Sequence, residues 1–83
     1  MGQVICVFRI MPKSPEDFDK IKTEAQKLNP TKLEEEPIAF GLKALKFTAV
    51  IEDAAGTIEK LENQLESIEG VQTVENIMTT RSL

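Results

Sequence analysis

Two stretches of this 83-residue sequence carry apolar residues at the same spacing of three, four and three: Phe18, Ile21, Ala25 and Leu28, then Ile58, Leu61, Leu65 and Ile68. That spacing lines one face of a helix. A helix with one apolar stripe must bury it against another element. The remaining segments alternate at period two, as half-buried strands do. From Gln3 to Met11, the side chains of Val4, Cys6, Phe8 and Ile10 share one face, and Ile5, Val7, Arg9 and Met11 share the other. From Leu42 to Ile51, Leu45, Phe47, Ala49 and Ile51 oppose Leu42, Ala44, Lys46, Thr48 and Val50. Thr31 to Ile38 is a second strand. Its Glu34-Glu35-Glu36 run and Pro37 suit a sheet edge, where charge and proline discourage further pairing. Val71 to Thr79 is a fourth strand. Its apolar Val74 and Ile77 lie three apart, which implies a bulge or bend.

The boundaries have local causes. Ser14 is placed to cap the first helix, with Pro15 at its first position and Glu16 and Asp17 in the first turn. Asn29-Pro30 ends it. Thr57 is placed to cap the second helix, and Gly70 to stop it in a left-handed conformation. Arg81-Ser82-Leu83 reads as a short tail. The order β-α-β-β-α-β, with right-handed crossovers in both halves, predicts an α+β fold. It is a two-layer ferredoxin-like sandwich: a four-stranded antiparallel sheet with two helices on one face, the first and third strands at the centre. Residues 1–83 are expected to form a single domain.

Chemistry is scarce. The sequence has no histidine and one cysteine, so it lacks the usual neutral-pH general base and the ligands of a thiolate or imidazole metal site. No phosphate-binding glycine loop appears. A stand-alone enzyme is therefore nearly unsupported, and no catalytic residue, metal or cofactor is expected. Net charge is −4. That disfavours nonspecific nucleic-acid binding and suits a basic protein partner. The open-face positions of the central strands hold no aromatics on which RNA bases would stack. No apolar run is long enough to span a membrane. The N-terminus lacks a signal peptide's basic flank, and the single cysteine fits a reducing, cytoplasmic setting. Cys6 lies on the expected core face, as a small hydrophobe. The three consecutive glutamates point alternately to opposite faces and do not converge on one cation.

One segment stands apart. In Glu36-Pro37-Ile38-Ala39-Phe40-Gly41-Leu42, a large aromatic precedes a glycine and follows a proline by three residues. Phe8, Phe18 and Phe47 all fall on expected core faces, whereas Phe40 falls at the tip between two strands. Either Phe40 folds back to plug the end of its own core, or a partner covers it.

Several blocks together resemble the archaeal elongation factor 1-beta family. They are Met1-Gly2 entering a strand, Met11-Pro12 with Ser14-Pro15, the Glu36 to Leu42 block, Gly56-Thr57 and Ile68-Glu69-Gly70-Val71. The similarity covers essentially the whole chain, and Pro37 to Leu45 is its most specific part. It implies a cytoplasmic guanine-nucleotide exchange factor, expected as a monomer, whose client is the GTPase elongation factor 1-alpha. Such a factor makes no covalent bond. It binds the GTPase, disturbs the magnesium and phosphate site and speeds GDP release. By the resemblance, the partner-contacting residues are Ile38, Phe40, Gly41, Arg81 and Leu83. In the family the C-terminal end approaches the nucleotide domain and the aromatic end reaches the second domain. Topology puts those ends ~25–30 Å apart, at ~3.3 Å per strand residue. Eukaryotic relatives carry a lysine just before the last residue. Here Ser82 holds that place after Arg81, whose planar guanidinium is a different cation from a compact ammonium. The alternative is a small-molecule-sensing or regulatory ferredoxin-like module that dimerises through its semi-apolar open sheet face.

Overall fold

The structure is a computed structural model that describes residues 2–82, Ser82 by its backbone alone. Its elements are β1 (Gln3–Pro12), a 3-10 turn (Pro15–Asp17), α1 (Phe18–Gln26), β2 (Lys32–Pro37), β3 (Lys43–Glu52), α2 (Thr57–Glu66) and β4 (Val71–Ser82). The strands form one sheet in the order β2-β3-β1-β4, with every pairing antiparallel. The α+β sandwich is therefore as expected, with β1 and β3 at the centre.

The core lies between the sheet and the helices. Cys6, Phe8 and Ile10 of β1 and Phe47 of β3 are completely buried, with Ile21 and Ala25 of α1 and Leu65 of α2 packed over them. Burial pushes the Cys6 thiol up, partly opposed by a hydrogen bond with the Thr79 side chain. It is accordingly a poor nucleophile, since the thiolate is the reactive form. Both helical stripes outrun their helices. Leu28 and Ile68 lie past the helix ends but still pack on the core. They are held there by tightened i→i+3 turns, in which Leu28 N–H donates to the Ala25 carbonyl (3.0 Å) and Ile68 N–H to Leu65 (3.3 Å).

The capping expectations need correction. Ser14 is extended and makes no side-chain cap. Its hydroxyl donates instead to Asp17 Oδ2 at 3.0 Å, because a carboxylate three residues on is a strong acceptor. The residue that caps α2 is Gly56, at φ +80, and Thr57 is the first helical residue, its hydroxyl donating back to the Ala54 carbonyl at 2.8 Å. Gly70 does adopt a positive φ of +96. It does so in the turn into β4, four residues beyond the end of α2, where its carbonyl accepts the Lys13 N–H at 2.8 Å.

In β4 the expected irregularity is a bulge. Val7 pairs with Met78 but Phe8 pairs with Asn76, so Ile77 is the extra residue. That insertion reconciles Val74 and Ile77 with a single strand. The strand also runs three residues further than expected, to Ser82, because β1 offers partners as far as Gln3. Arg81 is thus a strand residue paired with Val4, and the expectation of a free tail is corrected there.

On the open face of the sheet, Arg9 joins three strands. Its Nε donates to Glu36 Oε1 on β2 at 2.8 Å and its Nη1 to Glu75 Oε1 on β4 at 3.2 Å. To reach β2 it must cross β3 near Ala44, the register partner of Glu36. Ala44 is accordingly fully buried although its side chain points away from the helices. The Arg9 bond holds Glu36 below the usual carboxylate range, and Lys22 and Lys43 do the same for Glu35. A carboxylate with a lowered folded-state pKa contributes stability above its unfolded value of about 4.3 and loses it as pH falls through the folded value. Stability should therefore decline as pH drops below about 4.5. Glu36→Gln is expected to flatten that decline, measured as urea midpoints between pH 3 and pH 7.

Candidate functional site

The β2–β3 connection is a tight hairpin. Ile38 N–H donates to the Leu42 carbonyl and Leu42 N–H to the Ala39 carbonyl, both at 2.9 Å. Phe40 at φ +54 and Gly41 at φ +76 form the two central positions of the Ala39–Leu42 turn. Positive φ at both positions is the pattern of the primed turns that suit the twist of antiparallel strands. Glycine adopts it freely, whereas a bulky aromatic in that region is a genuine outlier.

Phe40 is 100% exposed. Of the two readings open from the sequence, the plug is excluded: the ring packs against none of its own core. So Phe40 gains nothing from burial and sits in a backbone conformation that costs ~1–2 kcal/mol for a residue with a Cβ. Neither packing nor local geometry accounts for phenylalanine here. Strain of this kind persists where the surroundings impose it, and it collects at ligand clamps and functional tips. Ile38, 46% exposed, lies just past the end of β2, two residues before Phe40.

The hairpin rests on a charged and aromatic base. Lys43 Nζ lies 5.5 Å from the centroid of the Phe18 ring and 3.3 Å from Glu35 Oε1. Lys22 reaches the other oxygen of Glu35 at 2.9 Å. Glu35 thereby joins α1, β2 and β3 beneath the tip. The glutamate run lies on the edge strand, as expected, with Glu34 and Glu35 exposed, and each of the three carboxylates also makes a surface ion pair. Among the described residues no group of acidic or cysteine side chains converges on a metal site. Beside the tip, Pro15, Phe18, Asp19, Gly41 and Lys43 line a cleft of about 200 Å³.

Arg81 lies at the other end of the sheet. Its guanidinium pairs with Asp53, which follows β3 and whose own N–H donates to the Gly2 carbonyl at 3.0 Å. Asp53 thus reaches from the end of β3 past β1 to β4. Nothing in the linear sequence links Asp53 to a residue in the last strand, so this pairing is visible only in the structure. Of the expected contact residues, Ile38, Phe40 and Gly41 come together at the hairpin and Arg81 stands apart from them. Leu83 lies outside the described residues. The molecule measures 42 × 21 × 17 Å, long enough to separate two contact regions. Among the described residues no helix is long and apolar enough to cross a membrane.

The profile of the EF-1 guanine nucleotide exchange domain matches residues 5–81. The chain belongs to that family. It is similar to proteins named elongation factor 1-beta over nearly its whole length. The Methanoregula boonei protein is 42% identical, with 96% of this chain and 98% of the relative covered. The Methanothermobacter thermautotrophicus protein is 43% identical, covering 90% and 91%. The Methanobrevibacter smithii protein is 42% identical, covering 100% and 99%. The match spans both the Phe40 hairpin and Arg81, so the exchange domain takes in both ends of the sheet.

Proposed function

We propose that this exchange-domain chain acts as a monomer on elongation factor 1-alpha, promoting exchange of GDP for GTP without covalent chemistry. The observation that carries the reading is Phe40: fully exposed and at positive φ, in a chain of the exchange-domain family. Phe40 with Ile38 serves as an apolar anchor in a pocket of the GTPase. Buried aromatic anchors of this kind dominate interface energies. Arg81 is carried at the opposite end, toward the magnesium and phosphate site. Asp53 engages one of its terminal nitrogens, which leaves further donors of the guanidinium fork for an anionic group. A cation there competes with the metal for phosphate oxygens.

Linkage sets the condition for such a device. The factor lowers GDP affinity only to the extent that it prefers the nucleotide-free GTPase, and GDP weakens factor binding by the same ratio. The test is release of a fluorescent GDP analogue from elongation factor 1-alpha under a chase of excess GTP. Substoichiometric protein should accelerate release catalytically. A competent GTPase that releases GDP at its unassisted rate would end the proposal.

Arg81→Ala is expected to lower the maximal release rate about tenfold at saturating factor, equivalent to ~1.4 kcal/mol. The half-saturating concentration should change little, because the anchor is elsewhere. Arg81→Lys should retain part of the rate, since charge is kept but the fork is lost. A stopped-flow titration of each variant separates the two parameters.

A further inference from the structure

Among the described residues, the large apolar side chains left exposed are Ile38, Phe40, Val50 and Met78. Their distribution is one-sided. Val50 pairs with Ile5, and Met78 with Val7, both β1 residues on the face away from the helices. Ile5, Val7, Thr48, Ile77 and Met78 help to line a groove of about 390 Å³ on that face. Ile38 continues the alternation of Glu36, which belongs to the open face through Arg9. The outer side of the helical layer differs: Glu59, Lys60, Asn63 and Glu66 are exposed there and no large apolar side chain is.

We propose that the open sheet face is a docking surface, and that its occupant is the same GTPase client that Phe40 anchors. Val50 and Met78 form the second apolar contact. This rests on the exchange reading above. Continuity favours that occupant, since Ile38 leads from the hairpin tip directly onto the face. Size favours it too. Strands of 10, 6, 10 and 12 residues at ~3.3 Å per residue, side by side at ~4.8 Å, present roughly 600 Å². With the hairpin added, the surface approaches the ~800 Å² that each partner contributes to a standard interface. A second copy fits poorly. Arg9, Glu36, Lys46 and Glu75 interrupt the face, and two copies would set that charged row against itself. Obligate dimers need a larger and more apolar surface.

The experiment titrates three folded variants in the GDP-release assay: Met78→Glu, Val50→Lys and, on the outer side of α2, Asn63→Glu. Both open-face variants should raise the half-saturating concentration roughly tenfold with the maximal rate kept. Asn63→Glu should match wild type. Melting curves check folding, and Val50 on a central strand and Met78 on an edge strand fail independently if either substitution disturbs the sheet. Wild-type titrations for both open-face variants would overturn the docking surface. So would a dimer of the isolated chain in sedimentation that Met78→Glu dissociates, which would give the face to a second copy. Loss in the open-face variants with a wild-type Phe40→Asn would keep the face and remove the anchor. The absence of acceleration by wild-type protein would remove the exchange reading itself.

Discussion

Replacing Phe40 with asparagine is expected to make the protein more stable and less active. The ring is fully exposed and packs on none of the chain's own core, so its removal takes away no burial. Its backbone sits at φ +54, where asparagine is tolerated and phenylalanine is strained. Relief of that strain should raise stability by about 1 kcal/mol. For a chain of this size that corresponds to a melting temperature higher by roughly 4–8 °C. Exchange should move the other way. Truncating an aromatic anchor typically costs ~2 kcal/mol or more of binding, or about 30-fold in activity at subsaturating factor. Phe40→Gly should lose activity equally but gain less stability, because glycine also loosens the unfolded chain.

The opposed signs make the experiment decisive. A residue kept for folding loses stability and activity together. A residue kept for a partner gives up activity alone, and stability rises when it is replaced. Thermal melts and GDP-release titrations on the same preparations read both. Phe40→Asn with wild-type exchange at every factor concentration would remove Phe40 from the interface. A lowered melting temperature would mean that the ring contributes to the fold.

Much of this was legible in the sequence, for identifiable reasons. The helical stripes and the Val4 to Ile10 and Leu45 to Ala49 faces depend on local periodicity, which a chain displays directly. The bulge at Ile77 was legible because two apolar residues three apart cannot share a face of a regular strand. The exposure of Phe40 was narrowed to two readings by its neighbours Pro37 and Gly41, and only the structure separates them. Features that depend on distant partners were not legible. Ala44 is buried because Arg9 reaches Glu36, 27 positions away in sequence. Arg81 reads as part of a short tail because its strand partner Val4 and its ion-pair partner Asp53 lie in other parts of the chain. Of the caps, Ser14 keeps its place before Pro15 but makes no side-chain cap, and the cap of α2 moves by one residue, from Thr57 to Gly56. There the choice between Ser14 as acceptor and as donor turned on the nearby Asp17 carboxylate, and the choice between Thr57 and Gly56 on backbone φ.

Gly70→Ala should be the most damaging of the glycine substitutions, and for two separable reasons. The first is conformational: Gly70 sits at φ +96, where a side chain costs ~1–2 kcal/mol. Gly41 and Gly56 share that cost at φ +76 and +80, but a Cβ added to either meets nothing within 4 Å. At Gly70 the added Cβ would lie 2.9 Å from Asp17 Cβ and 3.1 Å from Asp17 Cγ. Neither atom retreats easily. Asp17 accepts the Ser14 hydroxyl at 3.0 Å, and its N–H donates to the Ser14 carbonyl at 3.1 Å. The Gly70 carbonyl is itself held by Lys13 N–H at 2.8 Å, so the two turns are braced against each other. Overpacking of this kind typically adds ~1–3 kcal/mol. Gly70→Ala is therefore expected to lose about 2–5 kcal/mol, against about 1–2 kcal/mol for Gly41→Ala and Gly56→Ala. Against a total of about 5–10 kcal/mol for a small domain, the first is severe and the others are mild. The nearest clash is with Asp17 Cβ, so Asp17→Ala in the same chain would not relieve it and Asp17→Gly would recover part. Urea midpoints for the three single variants and the two doubles test the scheme, and equal losses at all three glycines would show that the Asp17 contact contributes nothing.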